Sequence, residues 1–169
     1  MESRDNLIMV GPIRRFFKRL ILESAIIFEE KAYLYYQAAL SQSVMDETFE
    51  LLKELLGEKL LHRIRLEDAQ RTDLPDVQSS EPKPESLEDP EPIDSLEGFC
   101  EDWPSIHAED SMHDVLKSGL QREECALRFY HNMALGALPG DLRAVFVRLR
   151  EDGKRCISRI REEMERLET

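Results

Sequence analysis

Apolar residues recur at spacings of three and four over four stretches, and alternation at period two is absent over any useful length. The pattern predicts four helices, near 12–42, 46–70, 111–135 and 141–168, and no strands. Pro12 sits at a permitted first-turn position of the first stretch. Ser43 to Asp46 offers a turn and a cap, Asp110-Ser111 precedes the third stretch, and Gly136, Pro139, Gly140 and Asp141 break the chain before the fourth. The predicted seam of the first helix is Leu22, Ile26, Glu29, Tyr33, Tyr36 and Leu40; that of the third is Leu116, Leu120, Glu123, Leu127, Tyr130 and Ala134. The second helix supplies Leu52, Leu55, Lys59, His62 and Leu66, and the fourth supplies Phe146, Leu149, Gly153, Cys156 and Ile160. Polar residues therefore enter each seam at one height. Glu29 precedes its turn by about as many residues as Lys59 and His62 follow it, so an antiparallel hairpin at ~1.5 Å per residue brings the three within one helical turn. Glu123, Gly153 and Cys156 stand in the same relation to the second turn, which predicts a polar layer at mid-height.

The two halves of the chain repeat. A shift of 94 residues superimposes Leu22 on Leu116, Ser24 on Ser118, Glu29 on Glu123, Glu30 on Glu124, Ala32 on Ala126, Tyr36 on Tyr130, Leu55 on Leu149 and Arg65 on Arg159 without a gap. Two copies are too few for a solenoid, so the expected fold is all-α: a four-helix bundle of two duplicated helical hairpins.

Charge changes the picture between those hairpins. The chain carries 23 basic and 35 acidic residues, a formal charge of −12, yet Thr72 to Asp114 holds 14 acidic residues against Lys83 alone and six of the eight prolines. Such composition buries too little apolar surface to offset ordering entropy, so 71–110 reads as an acidic, Pro-rich crossover connector whose end, Phe99 to Ile106, is apolar enough to dock. A long connector lets the second and third helices run parallel. The whole, 1–169, is read as one domain, with hairpins at 12–70 and 111–168.

Ala25 to Tyr36, with Glu29 seven residues before Tyr36, and its echo from Leu120 to Tyr130 resemble the rubrerythrin branch of the ferritin-like superfamily. The resemblance implies a ferritin-like bundle. In that family one glutamate from each of two helices joins a Glu-x-x-His pair from each of the others to hold two ions, iron or manganese, that process oxygen or peroxide. Glu29 and Glu123 match the single glutamates and His62 matches one histidine; Lys59, Gly153 and Cys156 stand where the other three ligands would be. Glu58 and Asp152 lie one position earlier, so the candidate metal residues are Glu29, Glu58, His62 and Glu123, with Asp152 and Cys156 as weaker candidates. With half of the expected ligands replaced, iron or manganese is expected below full occupancy or not at all, and a complete di-iron oxidase is not expected. The alternative is a metal-free structural or interaction module in which Lys59 is the counter-ion of Glu29 and Glu123.

Neither haem nor nucleotide is expected as a cofactor. The net acidity argues against nucleic-acid binding, and no apolar run is long enough to span a membrane. Arg14-Arg15-Phe16-Phe17-Lys18-Arg19 could meet an anionic surface or form a solvated helix end; the second is adopted, and no membrane partner is expected. Three widely spaced cysteines and no signal-peptide pattern imply a cytoplasmic chain. The resemblance implies that a homodimer is possible, and the acidic connector is read as a solvated linker, with a segment that binds an unknown protein partner as the alternative.

Overall fold

The computed structural model describes residues 5–43, 47–72, 105–107, 109–136 and 140–169, with side chains from position 15 in the first helix and position 48 in the second. These residues form four helices and no strand: α1 (Asp5–Gln42), α2 (Glu47–Arg71), α3 (Met112–Leu135) and α4 (Gly140–Leu167). The third helix starts where Ser111 and Asp114 close a capping box, each side chain accepting from the other's backbone N–H. The C-terminal end of α3 closes with the Gly136 N–H donating to the Asn132 carbonyl at 3.0 Å.

The first helix begins at Asp5 rather than Pro12 and runs through Gly11 and Pro12. Pro12 is the eighth residue of this helix and donates no ladder bond, and the helix continues through it. The seam also differs. Ala25, Phe28, Ala32, Tyr35 and Ala39 are buried, whereas Ile26, Tyr33 and Leu40 are only half-buried. The reason is that α1 packs against both α2 and α3 and must bury a wider arc than a single row of side chains.

Backbones approach one another between α1 and α2, α3 and α4, α2 and α4, and α1 and α3, which is the square of a four-helix bundle. Side-chain pairs set the directions. Rising along α1, Lys18 meets Thr72 and Glu29 meets His62, while Glu29 meets Tyr130 and Tyr35 meets Val115, so α1 is antiparallel to both α2 and α3. Along α2, Thr48 meets Glu163 and Arg65 meets Asp152, so α2 is antiparallel to α4. It follows that α2 and α3 run parallel across the diagonal. Thr72 accordingly lies at one end of the bundle, and Ile106 packs at the other end against the cluster containing Tyr35 and Leu51. The expected connector falls almost wholly on 73–104, outside the described residues.

The core is divided in two. One apolar cluster gathers Leu22, Phe28, Leu66, Phe129, Phe146 and Leu149; the other gathers Tyr35, Leu52, Leu55, Val115, Leu116 and Ile160. Between them lies a layer of buried charge. Gly119 is what lets α3 approach α1 here, because a Cβ at that position would stand 3.1 Å from the Tyr36 hydroxyl. That hydroxyl is hydrogen-bonded to Glu123 and cannot move aside without losing the bond. Gly57, by contrast, is exposed and has nothing within 4 Å of an added Cβ. In urea titrations, Gly119→Val should therefore destabilise by about 1–3 kcal/mol through overpacking. Gly57→Ala should stabilise by about 0.5–1 kcal/mol through helix propensity alone.

Candidate functional site: a buried charge layer

The layer is built from one residue or more of each helix: Glu29 on α1, Lys59 and His62 on α2, Glu123 on α3, and Asp152 and Cys156 on α4. Glu29 is 0 % exposed, and Glu123, Lys59 and His62 are each 1 % exposed. Carboxylates so deep in a helical core demand compensation, because an uncompensated ion in low dielectric costs several kcal/mol. The compensation is an ammonium group. Lys59 Nζ lies 2.6 Å from Glu123 Oε2 and 3.8 Å from Glu29 Oε2, between the two carboxylates. Glu29 Oε1 receives the Tyr130 hydroxyl and faces His62 Nδ1 at 3.3 Å; Glu123 Oε1 accepts from the Tyr36 hydroxyl at 3.0 Å. Glu29 Oε2 has no hydrogen-bond partner among the described residues, so its only compensation is the longer ion-pair contact to Lys59.

Contacts cross between the hairpins in exchanged pairs. Tyr130 donates to Glu29 and Tyr36 to Glu123; Arg65 pairs with Asp152 at 2.8 Å and Arg159 with Glu58 at 3.1 Å; His62 Nε2 faces Asp152 at 3.4 Å and Cys156 donates to Glu58. In each case moving both residues by 94 positions turns one contact into the other. Lys59 breaks the pattern. Its counterpart is Gly153, where an added Cβ would meet nothing closer than Leu127 Cδ1 at 3.8 Å. One lysine thus serves two carboxylates, and the missing side chain at Gly153 leaves Glu29 Oε2 the less compensated oxygen.

Protonation follows from these contacts. Burial alone would raise the Glu29 carboxyl, but Lys59, followed by His62 and Tyr130, outweighs it and holds the group below the usual carboxylate range. Burial likewise pushes the Lys59 ammonium down, and the charges of Glu123 and Glu29 overcome it, so the group is held above its ordinary value. Tyr36 and Tyr130 are raised by burial and by the facing carboxylates, which keeps both as phenol donors. Burial pushes the Cys156 thiol up; Lys59 opposes this, but Glu123 and Glu58 reinforce it, and the group stays a thiol donating to Glu58.

Of the candidate metal residues, Glu29, His62 and Glu123 meet in one layer, with Lys59 among them. Glu58 does not join them. It is half-buried at the α2–α4 edge, held by Arg159 and Cys156, while Asp152 faces His62 but is also held by Arg65 and Arg155. Among the described residues no group of three or more His, Cys, Asp or Glu side chains is disposed to hold an ion. The side chains present therefore do not fit a two-metal centre: an ammonium stands between the carboxylates, and guanidinium groups hold the acids one position earlier in α2 and α4. Among the described residues, the contacts of the layer neutralise and orient buried charge.

The apolar periodicity does not find Arg65 and Arg159; their identity in the 94-residue repeat is the sequence signal for them, and both pair with repeat-related acids. Arg122, whose guanidinium lies 4.2 Å from the Tyr35 ring centroid, had no sequence signal. The chain has no significant match among protein-family models, curated proteins or solved structures.

Lys59→Met should remove the layer's ammonium and destabilise the protein by roughly 3–5 kcal/mol near neutral pH. The sign with pH is determined. A depressed carboxyl contributes stability above its unfolded pKa of about 4.3 and loses it on acidification; a raised lysine contributes below about 10.4 and loses it on going more alkaline. In the variant, burial of Glu29 is no longer outweighed by Lys59, so protonation relieves the penalty. Urea titrations should show the gap between wild type and Lys59→Met shrinking from about pH 8 to about pH 5.

Proposed function

We propose that this chain is a ferritin-like bundle of two duplicated hairpins in which a lysine ammonium stands where the family holds metal, and that it serves as a metal-independent structural or interaction module. The observation that carries the reading is Lys59 Nζ at 2.6 Å from Glu123 and 3.8 Å from Glu29, both fully buried. A divalent ion and this ammonium would compete for one position and one pair of carboxylates. The three exchanged pairs across the hairpins support a duplicated origin, since unrelated hairpins have no reason to make contacts that a shift of 94 residues turns into one another. Replacement of three of the six family ligands, with Lys59 and Gly153 at two of them, supports loss of oxidoreductase chemistry rather than its modification.

The test is a one-residue reversal. Lys59→Glu recreates a Glu-x-x-His pair with His62 and places a third carboxylate in the layer. Without metal it should be less stable than wild type. With ferrous or manganous ion in hundredfold excess over Kd it should regain about 3 kcal/mol, while wild type gains much less, because a ligand stabilises only the state that binds it. Thermal melts with and without ion read the difference. Wild type that gains as much as the variant, or that purifies with near-stoichiometric iron or manganese, would mean that the layer is a working metal site.

A further inference from the structure

Exposed large apolar side chains are unevenly placed on this protein. Those on α1 and α2 are Phe16, Phe17, Leu20, Ile27, Leu34, Leu60, Leu61 and Ile64; on α3 and α4 only Leu167 is exposed among the described residues. The densest group is at the start of the described part of α1, where Phe16 is 64 %, Phe17 55 % and Leu20 39 % exposed. The two phenylalanine rings meet edge-to-face at 6.0 Å, which holds them together as one apolar knob rather than two separate side chains. This segment precedes Leu22, the first buried residue among those whose side chains are described.

Cations share these turns. Arg15, Lys18 and Arg19, with Leu22, Glu23 and Gln70, line an open cleft of about 390 Å³ between the start of α1 and the end of α2. Lys18 Nζ donates to the Thr72 carbonyl at 3.3 Å, which suits a cation at the C-terminal end of α2. Arg19 pairs with Glu23 at 2.7 Å while remaining mostly exposed, and Arg15 makes no ion pair among the described residues. The helix dipole thus accounts for Lys18 but not for the two arginines or the aromatic pair beside them.

We infer that this end of α1 is a docking element for an anionic lipid surface, with Phe16, Phe17 and Leu20 entering the headgroup boundary and Arg15, Lys18 and Arg19 meeting lipid phosphates and carboxylates. The argument for lipid is charge complementarity joined to aromatic exposure. A chain of net charge −12 gathers three cations and three exposed apolar side chains in the six residues 15–20, a combination suited to an anionic interface. The exposed stripe continues along α1 to Ile27 and Leu34, but Glu23 and Glu30 flank it there and would be repelled by anionic lipid. Contact is therefore confined to the end of the bundle, and the helix stays continuous with the core that holds it. The inference does not depend on how the buried layer is read.

Co-sedimentation of the full chain with vesicles of phosphatidylcholine, with and without phosphatidylserine, tests it. Binding should require phosphatidylserine and weaken at high salt. Phe16→Ser/Phe17→Ser should lower binding by about tenfold or more, in line with burial of two phenyl rings, while helix content and melting temperature are retained. Arg15→Gln/Lys18→Gln, which leaves the rings and Arg19 in place, should weaken binding to phosphatidylserine vesicles and reduce its salt dependence. Equal binding to both vesicles, no binding to either, or unchanged binding by the phenylalanine variant would overturn the inference. So would sedimentation velocity showing that the phenylalanine variant dissociates a dimer while vesicle binding is absent, since the patch would then be covered by a second copy of the chain.

Discussion

Two carboxylates and one ammonium, closed off from water at the centre of a helical bundle, set the terms for the rest of this structure. Glu29 and Glu123 cannot be buried as a bare pair, and Lys59 cannot be buried alone; each is tolerable only with the others in place. The helices carrying them must therefore reach one height and one rotation together. Apolar packing by itself tolerates small slips of register, whereas a displaced charge in this layer would lose the partners that compensate it. Such a layer need not add stability, since an apolar replacement of similar volume is often at least as stable.

The layer also explains why the core is divided. Above and below it, the two apolar clusters are each made from all four helices, and neither crosses the charged residues. Tyr36 and Tyr130 bridge the discontinuity. Each ring packs in an apolar cluster while its hydroxyl reaches a carboxylate of the layer, so one side chain satisfies the demands of both regions. Gly119 belongs to the same arrangement, because the Tyr36 hydroxyl occupies the space that a side chain there would need.

An approximate two-fold relation runs through these contacts, and its one failure is the informative feature. Tyrosine, arginine and the acid at the α2–α4 edge are exchanged between the hairpins, but the ammonium is not. With two lysines the layer would carry two cations for two carboxylates and could keep its symmetry. With one, Lys59 sits closer to Glu123 than to Glu29, and Glu29 turns to His62 and Tyr130 for the rest of its compensation. The asymmetry of the charge layer is thus a direct consequence of glycine at position 153.

Local periodicity was enough to determine four helices, the approximate extents of α2, α3 and α4 and the start of α3 at Ser111, because turn chemistry and the 3.6-residue repeat are properties of contiguous stretches. Equal distances from the first turn also placed Glu29, Lys59 and His62 at one height, since rise per residue is the same in every helix. Rotation about each helix axis was not determined in this way. It decided that Ala25, Phe28 and Ala32 rather than Ile26 and Tyr33 face the core, and that Glu58 turns to Arg159 and Cys156 instead of joining Glu29. It also decided that Lys59 favours Glu123 over the glutamate of its own hairpin. Spacing along a chain reports which residues share a face of one helix; which face meets which neighbour is decided only when all four helices pack at once and every buried charge must find its partner.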